Sequence, residues 1–568
     1  MKKTVAMFAF LSLLVAVPGF GQGFLLNSLV GPYRRPEVGI QTLRTTPTIP
    51  QSMNALVQAN GIPLTMNDMV RLTLENNFNL GMQRFAPILS EYGILQAYTS
   101  FDPTLSLSGS VNRSTSVSTR QTDGAAVNST LGGAYSAGFS QNLKTGGNYS
   151  ISASMNRRSS NDPFNSFNPV WSGSMSYSFS QPLLRGFGVR VNTAPIVIAE
   201  NNLENSRIAF EQQVMDLVLS ATNTYWDLVY AAETIRVQEN ALALAGLTLA
   251  DNERRVDIGT MAPIDLNQSR LSVAQQELSL LSARNSRRQV EDNVKTMITR
   301  VADPGLVLVS LNPTDSIVNR LSREIEILPV AEAIQLAYRT RPDMRQFQLD
   351  MENAELNMLT AGNNLLPNLN LNVRYNHSGT AGTQIIRDGL GGAITDVIPG
   401  GFTDYWGNLF SFDQKGYNIG FSLNIPLGNR ASRLAYERQV INNRQLESRG
   451  QQMLQSIAQS VRNAYEQVML ARQQVVIAEQ AYQLAQLTLT AEERKFELGQ
   501  SQTRFVIQEQ NNQTSAEVSL LNTRINYIKA IAAYDREIGR TLELNNVRIE
   551  EEYRPNLASD TAPGVAAR

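Results

Sequence analysis

The chain of 568 residues has no cysteine and a single histidine, His377. The absence of cysteine excludes disulfides, iron–sulfur clusters and thiolate zinc sites, and it leaves any histidine-centred catalysis to one residue. The motifs GxxxxGK[ST], HExxH and GxSxG are also missing from the chain. We therefore expect no catalytic residues, no metal site and no cofactor, and an enzyme is the least favoured class of protein.

An excess of charge of either sign is also missing. The 49 basic and 50 acidic residues leave a formal net charge of −1, and charged residues make up only 17% of the chain. Nucleic-acid binders carry a clustered basic excess, so the composition predicts no nucleic-acid partner. No stretch reaches 18 consecutive apolar residues, so a membrane-spanning form of the mature chain would have to use β-strands.

The N-terminus has the pattern of a secretory signal peptide. A basic start, Met1-Lys2-Lys3, precedes a short apolar run from Val5 to Val17, and small residues stand at Gly19 and Gly21. This pattern predicts that residues 1–21 are removed by cleavage after Gly21, with a buried N-terminal helix as the alternative. Residues 22–62 are rich in Pro, Gly and Thr, and we interpret them as an irregular arm.

Two stretches keep apolar or small residues at spacings of three and four, which is the pattern of a heptad seam. The members are Phe210, Val214, Leu217, Ala221, Thr224, Leu228, Ala231, Ile235, Gln238, Leu242, Ala245 and Leu249, and then Leu454, Ile457, Val461, Ala464, Val468, Ala471, Val475, Ala478, Tyr482, Ala485 and Leu489. The seams match at an offset of 240 residues, and nine of nineteen positions are identical between 241–259 and 481–499. The chain is therefore an internal duplication.

Each long helix is predicted to end at a glycine, Gly259 or Gly499, where a left-handed backbone is readily adopted. A second periodic segment follows each glycine after a short polar tip. The sequence thus predicts two long helical hairpins, at 195–300 and 428–538. Because such hairpins have short tips, they can project far from the rest of the molecule.

Alternating apolar and small polar residues predict β-strands within 104–181 and 368–427, related by an offset of 264 residues. An additional hairpin is predicted at 131–156 in the first half only, either inside the sheet or outside it. The segments 157–170 and 377–415 are rich in Gly, Asn and Asp, and we interpret them as loops. His377 is accordingly expected in a surface loop. Alternation with one small polar face is typical of a membrane barrel with a wet lumen, although a soluble sheet has the same pattern.

The domain organisation follows from these segments. We expect a first structural repeat at 63–300, a connector at 301–328, a second repeat at 329–540 and a polar tail at 541–568.

The residues resemble the TolC-type outer-membrane efflux protein family over about 64–540. The likeness rests on the duplicated order of helix, strands, long helix, glycine tip and returning helix. It also rests on Gln181-Pro182-Leu183-Leu184-Arg185-Gly186 and Ile425-Pro426-Leu427-Gly428, where a strand leads into a long helix, and on Pro103 and Pro367, where a helix leads into a strand.

This resemblance implies a mainly α fold with membrane β-structure: an α-helical tunnel joined to a transmembrane β-barrel shared by a homotrimer. It implies a passive outer-membrane channel for efflux or type I secretion, with its helical part in the periplasm. The implied partners are outer-membrane lipid, a periplasmic adaptor and an inner-membrane transporter.

The resemblance also assigns candidate sites. The tips would dock the adaptor through Gly259, Thr260, Gly499, Gln500 and Ser501. The tunnel entrance would be formed by Asp265, Gln508 and Glu509. The family often has an Asp six residues after each tip glycine, and the second copy departs from this with Phe505.

Two alternatives remain open from the sequence. A stand-alone porin would need more strands in each chain and would not need hundreds of helical residues. A secreted coiled-coil structural or adhesive protein would need no detergent for purification.

Overall fold

The computed structural model describes residues 61–119, 126–299, 309–321, 327–389 and 392–549. The predicted signal peptide lies outside the described residues, as do most of the arm and the chain beyond residue 549. The strands are β1 Ile62–Leu64, β2 Thr104–Val117, β3 Val127–Asn142, β4 Asn148–Ser160, β5 Phe167–Pro182, β6 Leu311–Pro313, β7 Asn368–Arg387, β8 Ile394–Ile398 and β9 Gln414–Asn424.

The helices of the first half are α1 Met66–Asn76, α2 Phe78–Gln83, α3 Phe85–Tyr98, α4 Val189–Asn192, α5 Ala194–Asp257 and α6 Leu266–Ile298. Those of the second half are α7 Ile317–Leu321, α8 Val330–Thr340, α9 Pro342–Asn363, α10 Phe402–Phe410, α11 Arg430–Glu497, α12 Thr503–Glu537 and α13 Thr541–Leu544. None of the helices in the described ranges is both long enough and apolar enough to cross a membrane.

Two long antiparallel hairpins dominate the structure, α5 with α6 and α11 with α12. The 68 residues of α11 correspond to about 100 Å of helix. Helix α5 also packs on α12, so the four helices form one layer in the order α6, α5, α12, α11. Most of the seam residues are buried or half-buried in this layer, and Ala221, Leu228, Val461 and Val468 are almost fully buried, whereas Leu454 is exposed.

The duplication extends to individual ion pairs between the helices of each hairpin. Arg284 on α6 contacts Glu239 on α5 at 2.9 Å, and Arg524 on α12 contacts Glu479 on α11. Both pairs are related by the offset of 240 residues. The register of the two hairpins is therefore the same in both halves.

Short elements surround the layer near its middle. The strands β1 and β6 pair in parallel, Ile62 opposite Leu311, and bury both side chains completely. The hydroxyl of Tyr225 on α5 donates to the carboxylate of Asp315 at 2.7 Å, and the backbone N–H of Met66 donates to the same carboxylate at 2.7 Å. These bonds attach the connector to α5 and to the start of α1.

The remaining strands form one antiparallel sheet in the order β2-β3-β4-β5-β7, and β7 then pairs with both β8 and β9. The N-terminal part of β7, Asn368 to Ser378, pairs with β9, whereas its C-terminal part, Gln384 to Arg387, pairs with β8. The predicted hairpin at 131–156 forms β3 and β4 and lies within this sheet, between β2 and β5. The sheet therefore has six long strands, β2, β3, β4, β5, β7 and β9.

The two faces of the sheet differ in chemistry because side chains alternate along each strand. The face that we call the apolar face carries Leu105, Leu107, Val111, Phe139, Ile151, Met175, Tyr177, Val373, Ile419 and Phe421. The opposite face is lined by Ser and Asn side chains, which form cross-strand hydrogen bonds such as Ser108 to Ser136 at 2.7 Å. One end of the sheet joins the long helices through Pro182 and Asn424; we call the opposite end the far end.

The segment 377–415 is not the loop that the sequence predicted. Strand β7 continues to Arg387, and α10 follows β8. Helix α10 packs on the apolar face, where Tyr405 and Leu409 are buried against β5 and β7. The close approach requires glycine, because a Cβ at Gly379 would lie 2.6 Å from the backbone nitrogen of Leu409. The loop predicted at 157–170 is also shorter, because β4 extends to Ser160 and β5 begins at Phe167.

The prediction that His377 lies in a surface loop is wrong. His377 is in β7, beneath α10, and is 0% exposed. Its Nδ1 atom lies 2.9 Å from the carbonyl oxygen of Leu409, and Nε2 is buried without a hydrogen-bond partner in the described part of the chain. Because a carbonyl can only accept, Nδ1 carries the proton and the imidazole attaches α10 to the sheet.

Candidate functional site

The first hairpin tip is held by the hydrogen bonds of a Schellman motif. Gly259 has a φ of 79°, and its N–H donates to the carbonyl of Val256 at 3.0 Å. The N–H of Thr260 donates to the carbonyl of Arg255 at 2.8 Å, and its hydroxyl donates to the same oxygen at 3.0 Å. The tip is thus ordered by its own backbone, which leaves Thr260 exposed.

The second tip repeats this geometry and adds a side-chain contact. Gly499 has a φ of 71°, and the N–H of Gln500 donates to the carbonyl of Lys495 at 2.8 Å. The hydroxyl of Ser501 donates to the carboxylate of Glu492, which also pairs with the Lys495 ammonium at 3.0 Å. The Ser501 hydrogen bond, with help from Lys495, lowers the pKa of Glu492 below its ordinary value. Ser501 therefore closes the tip, whereas Gln500 faces outward.

Each tip displays a large apolar side chain that is not among the sequence-predicted site residues. Ile258 is 73% exposed and Leu498 is 63% exposed, and the two positions are related by the offset of 240 residues. Ile264 is 72% exposed beside the first tip. The signal was present in the repeated sequences Asp-Ile-Gly and Glu-Leu-Gly. As a pattern, both sequences predict a helix end.

The two tips lie side by side. The guanidinium of Arg255, near the end of α5, lies 4.4 Å from the ring centroid of Phe496, near the end of α11. Further along, the amide of Gln510 donates to the hydroxyl of Thr248 at 2.9 Å. The four helices therefore present their tips as one surface.

The predicted entrance residues lie in the first turns after the tips. Asp265 ends a short 3₁₀ turn at Pro263–Asp265 and is exposed, and Gln508 is exposed on α12. Glu509 is half-buried and accepts a hydrogen bond from the amide of Asn512 at 3.2 Å. Phe505, which occupies the position equivalent to Asp265, is 41% exposed and lies under the Arg504 guanidinium at 4.6 Å.

The two hairpins differ in one buried polar contact near the tips. In the first hairpin the amide of Asn252 donates to the hydroxyl of Ser269 at 2.7 Å, and both side chains are buried. At the equivalent positions the second hairpin has two carboxylates, Glu492 and Glu509. Glu492 bonds to Ser501 and Lys495, and Glu509 bonds to Asn512 on the same helix. The second hairpin therefore lacks the direct side-chain contact that connects α5 to α6.

The whole arrangement agrees with one protein family. The family described as outer membrane efflux protein matches residues 136–299 and 333–540, which together make up more than half of the chain and correspond to its two halves. The chain therefore belongs to this family. Members are channels and not enzymes, and the protein is an outer-membrane efflux channel.

Solved structures of outer-membrane channels have the same fold. CusC is similar with a TM-score of 0.59 at 14% identity, over 86% of this chain and 96% of that chain. VceC from Vibrio cholerae has a TM-score of 0.56 at 14% identity, over 84% of this chain and 96% of that chain. CmeC from Campylobacter jejuni has a TM-score of 0.56 at 16% identity, over 84% of this chain and 85% of that chain. No curated protein matches the chain significantly.

Proposed function

We propose that the protein is a homotrimer, in which three sheets close one barrel in the outer membrane and three sets of helices close one periplasmic tunnel. The observation that carries this proposal is the pair of open edges of the sheet. The duct is passive and serves efflux or type I secretion. Energy for transport comes from partners.

The strands at the two edges of the sheet are β2 and β9, and within the described residues each pairs on one side only. All fourteen residues of β2 are exposed in the single chain. Unpaired backbone groups are not tolerated in lipid, so an isolated sheet of this kind cannot span a membrane. Pairing β2 of one copy with β9 of the next satisfies both edges. With six long strands in each copy, three copies give a barrel of 18 strands.

The helical layer supports the same closure. Its edge helices, α6 and α11, carry apolar side chains that remain largely exposed in the single chain. On α11, Leu470, Ile477 and Leu484 recur every seven residues and are 48%, 64% and 64% exposed. On α6, Leu271 and Leu278 have the same spacing and are 51% and 67% exposed. Heptad stripes of this kind pack against another helix, and α6 of a neighbouring copy supplies one.

The tips are proposed to dock a periplasmic adaptor that connects the duct to an inner-membrane pump. Thr260 and Gln500 are exposed polar groups at the turns, and Ile258 and Leu498 stand beside them. Exposed apolar side chains rimmed by polar groups are typical of protein–protein contacts. Gly259 and Gly499 shape the turns, and Ser501 holds the second turn closed.

The tunnel entrance is proposed to lie at the first turns of α6 and α12. Asp265 and Gln508 are its exposed side chains, with Glu509 beside them. Because Phe505 replaces the second Asp, the position six residues after the tip glycine supplies three carboxylates to the trimer instead of six. Glu509, one turn further along α12, adds three carboxylates at a different position.

The channel function can be tested with the purified protein and with a deletion strain. We expect single-channel conductance in planar bilayers from a detergent-purified trimer. Deleting the gene should increase sensitivity within a drug panel or remove polypeptides from the medium. A soluble monomeric rod without conductance would refute the duct.

The docking role is tested by Ile258→Ser combined with Leu498→Ser. The expected result is loss of export in the complemented deletion strain, with conductance and trimer content unchanged. Leu247→Ser is a matched control, because this side chain on α5 is 70% exposed but lies away from the tips. Full export by the double variant would contradict docking through these side chains.

A further inference from the structure

We propose that the far end of the apolar face binds phosphate groups of outer-leaflet lipid through Arg113, Arg157 and Lys415. This inference rests on the proposed membrane-spanning barrel. We call these three residues the outer rim. They lie on three different strands, β2, β4 and β9, and together they border the surface that contacts lipid chains.

The first argument is the distribution of charge on the apolar face. On the six long strands, every charged side chain of this face is basic, and each lies toward the far end. Arg113 follows Leu105, Leu107 and Val111 along β2, while Lys415 precedes Tyr417 and Ile419 on β9. The fourth such residue, Arg387, donates to the carbonyl of Gly392 at 3.1 Å.

The second argument is that the outer-rim charges are available. Within the described ranges, Arg113, Arg157 and Lys415 take part in no ion pair. Arg157 lies beside Trp171, with its guanidinium 5.6 Å from the ring centroid. An aromatic surface supports a guanidinium in this position while its N–H groups stay free for an anion.

The third argument is the level at which aromatic side chains collect. Helix α10 lies on the apolar face beside Gly173 and Gly379, near the outer rim, and covers the sheet there. It places Trp406 next to Phe410, with ring centroids 5.5 Å apart, and Phe402 against Trp171 at 5.4 Å. Trp and Tyr concentrate where hydrocarbon meets headgroups, so this level marks the membrane boundary.

These features identify the chemistry of the occupant. Acyl chains cover the apolar face between α10 and the end of the sheet that joins the long helices. Anionic headgroup oxygens contact the cationic side chains of the outer rim. A lipid with several chains and a phosphorylated headgroup satisfies both requirements. The two basic residues of the opposite, polar face, Arg158 and Arg374, point into the lumen and contact no lipid.

The experiment uses the full-length trimer in detergent and measures lipid binding by native mass spectrometry. The probes are lipid A with two phosphates, its dephosphorylated form and inorganic phosphate. Each basic residue near a membrane surface contributes about 1 kcal/mol, or roughly a fivefold change in affinity. The triple variant Arg113→Gln, Arg157→Gln, Lys415→Gln is therefore expected to bind the phosphorylated lipid on the order of a hundredfold more weakly.

Two variants control for folding and for general charge loss. Arg158→Gln with Arg374→Gln removes basic residues from the polar face and should bind lipid as the wild type does. Arg113→Lys with Arg157→Lys keeps the charge and should retain most of the affinity. Equal affinity of the triple variant and the wild type would overturn the proposal. Equal binding of the dephosphorylated lipid, or displacement by millimolar inorganic phosphate, would overturn it as well.

Conductance of the same preparations separates this inference from the proposed function. A conducting wild-type trimer without preference for phosphorylated lipid would refute the outer rim alone. A wild type that neither conducts nor forms trimers would refute the channel proposal on which the outer rim depends.

Discussion

At the scale of single residues, the tip glycines show how backbone geometry determines a surface. Gly499 has a φ of 71°, and apart from the glycine and its two chain neighbours no atom lies within 4 Å of the place where a Cβ would stand. A side chain is therefore disfavoured only by the left-handed backbone, not by a clash. The same holds at Gly259.

Gly499→Ala should lower the free energy of unfolding by about 1 kcal/mol, because a left-handed backbone is unfavourable for residues with a Cβ. Gly246→Ala is the matched control: this glycine is inside α5 with open space around it, and alanine should stabilise the helix by roughly 0.5–1 kcal/mol. Denaturant unfolding of both variants provides the measurement. Equal changes in the free energy of unfolding, with the same sign in both variants, would contradict the inference that the left-handed backbone at position 499 favours glycine.

Asp535 on α12 is a second informative residue. It lines a cavity of about 690 Å³ together with Arg320, Arg540 and Trp226. Burial raises the pKa of the Asp535 carboxyl to about 6, although Arg540 and Arg320 oppose the shift. The folded protein thus holds this proton more tightly than the unfolded chain does.

The sign of the pH effect follows from that shift. Stability from Asp535 is fully present below its ordinary pKa of 3.8 and is lost as the pH rises through about 6. Asp535→Asn should therefore stabilise the protein by roughly 3 kcal/mol at pH 7.5 and by only about 0.5 kcal/mol at pH 4. Thermal unfolding at both pH values tests this, with Asp292→Asn, an exposed carboxylate, as the control. A gain in stability that is the same at both pH values would contradict a raised pKa of Asp535 in the folded protein.

At the scale of elements, α10 is attached to the sheet by close contacts instead of by a large core. Gly379 allows the backbone of Leu409 to approach, and His377 bonds to the carbonyl of the same residue. The helix has only nine residues, which is too short to be stable in isolation. Its position therefore depends on these contacts with β7.

Gly379→Ala should displace α10, because the new methyl group would meet backbone atoms of Leu409 that cannot rotate away. We expect hydrogen exchange in residues 402–410 to become at least tenfold faster. Gly420→Ala on β9 is the control, since its nearest atom would lie 3.7 Å away. Unchanged protection of α10 in the Gly379 variant would show that the helix tolerates a shift.

At the scale of the whole molecule, the single chain leaves backbone hydrogen-bonding groups and apolar side chains without partners among the described residues. The sheet ends in open edges at β2 and β9, and the helical layer ends in apolar stripes on α6 and α11. In the proposed trimer, identical copies complete both parts at once, because each edge faces the opposite edge of the next copy. The same closure would connect the proposed barrel to the proposed tunnel.

Leu484→Asp places a charge in the stripe of α11 and should convert the trimer largely to monomer, because burying an unpaired carboxylate costs several kcal/mol. Gln483→Asp, one residue earlier and also exposed in the single chain, should leave the trimer intact. Light scattering of the detergent-solubilised variants measures the outcome. Trimers of equal stability in both variants would place the interface elsewhere.

The periodic patterns of the sequence are sufficient to predict the long helices and the strands of this protein. Spacings of three and four predict α5 and α11, the glycines predict their ends, and alternation predicts the two faces of each strand. The mainly α fold with a sheet and the family are confirmed. These features are local, because each depends on neighbours within a few turns or strand residues.

Which elements pack against one another becomes visible in the folded chain. The alternation of apolar and polar residues predicts two different faces for the hairpin at 131–156, but it does not indicate which strands lie beside it. In the structure this hairpin lies between β2 and β5. His377 is buried by Leu409, which lies 32 residues further along the chain. Such contacts arise between distant segments, and the pattern of residues within one segment does not encode them.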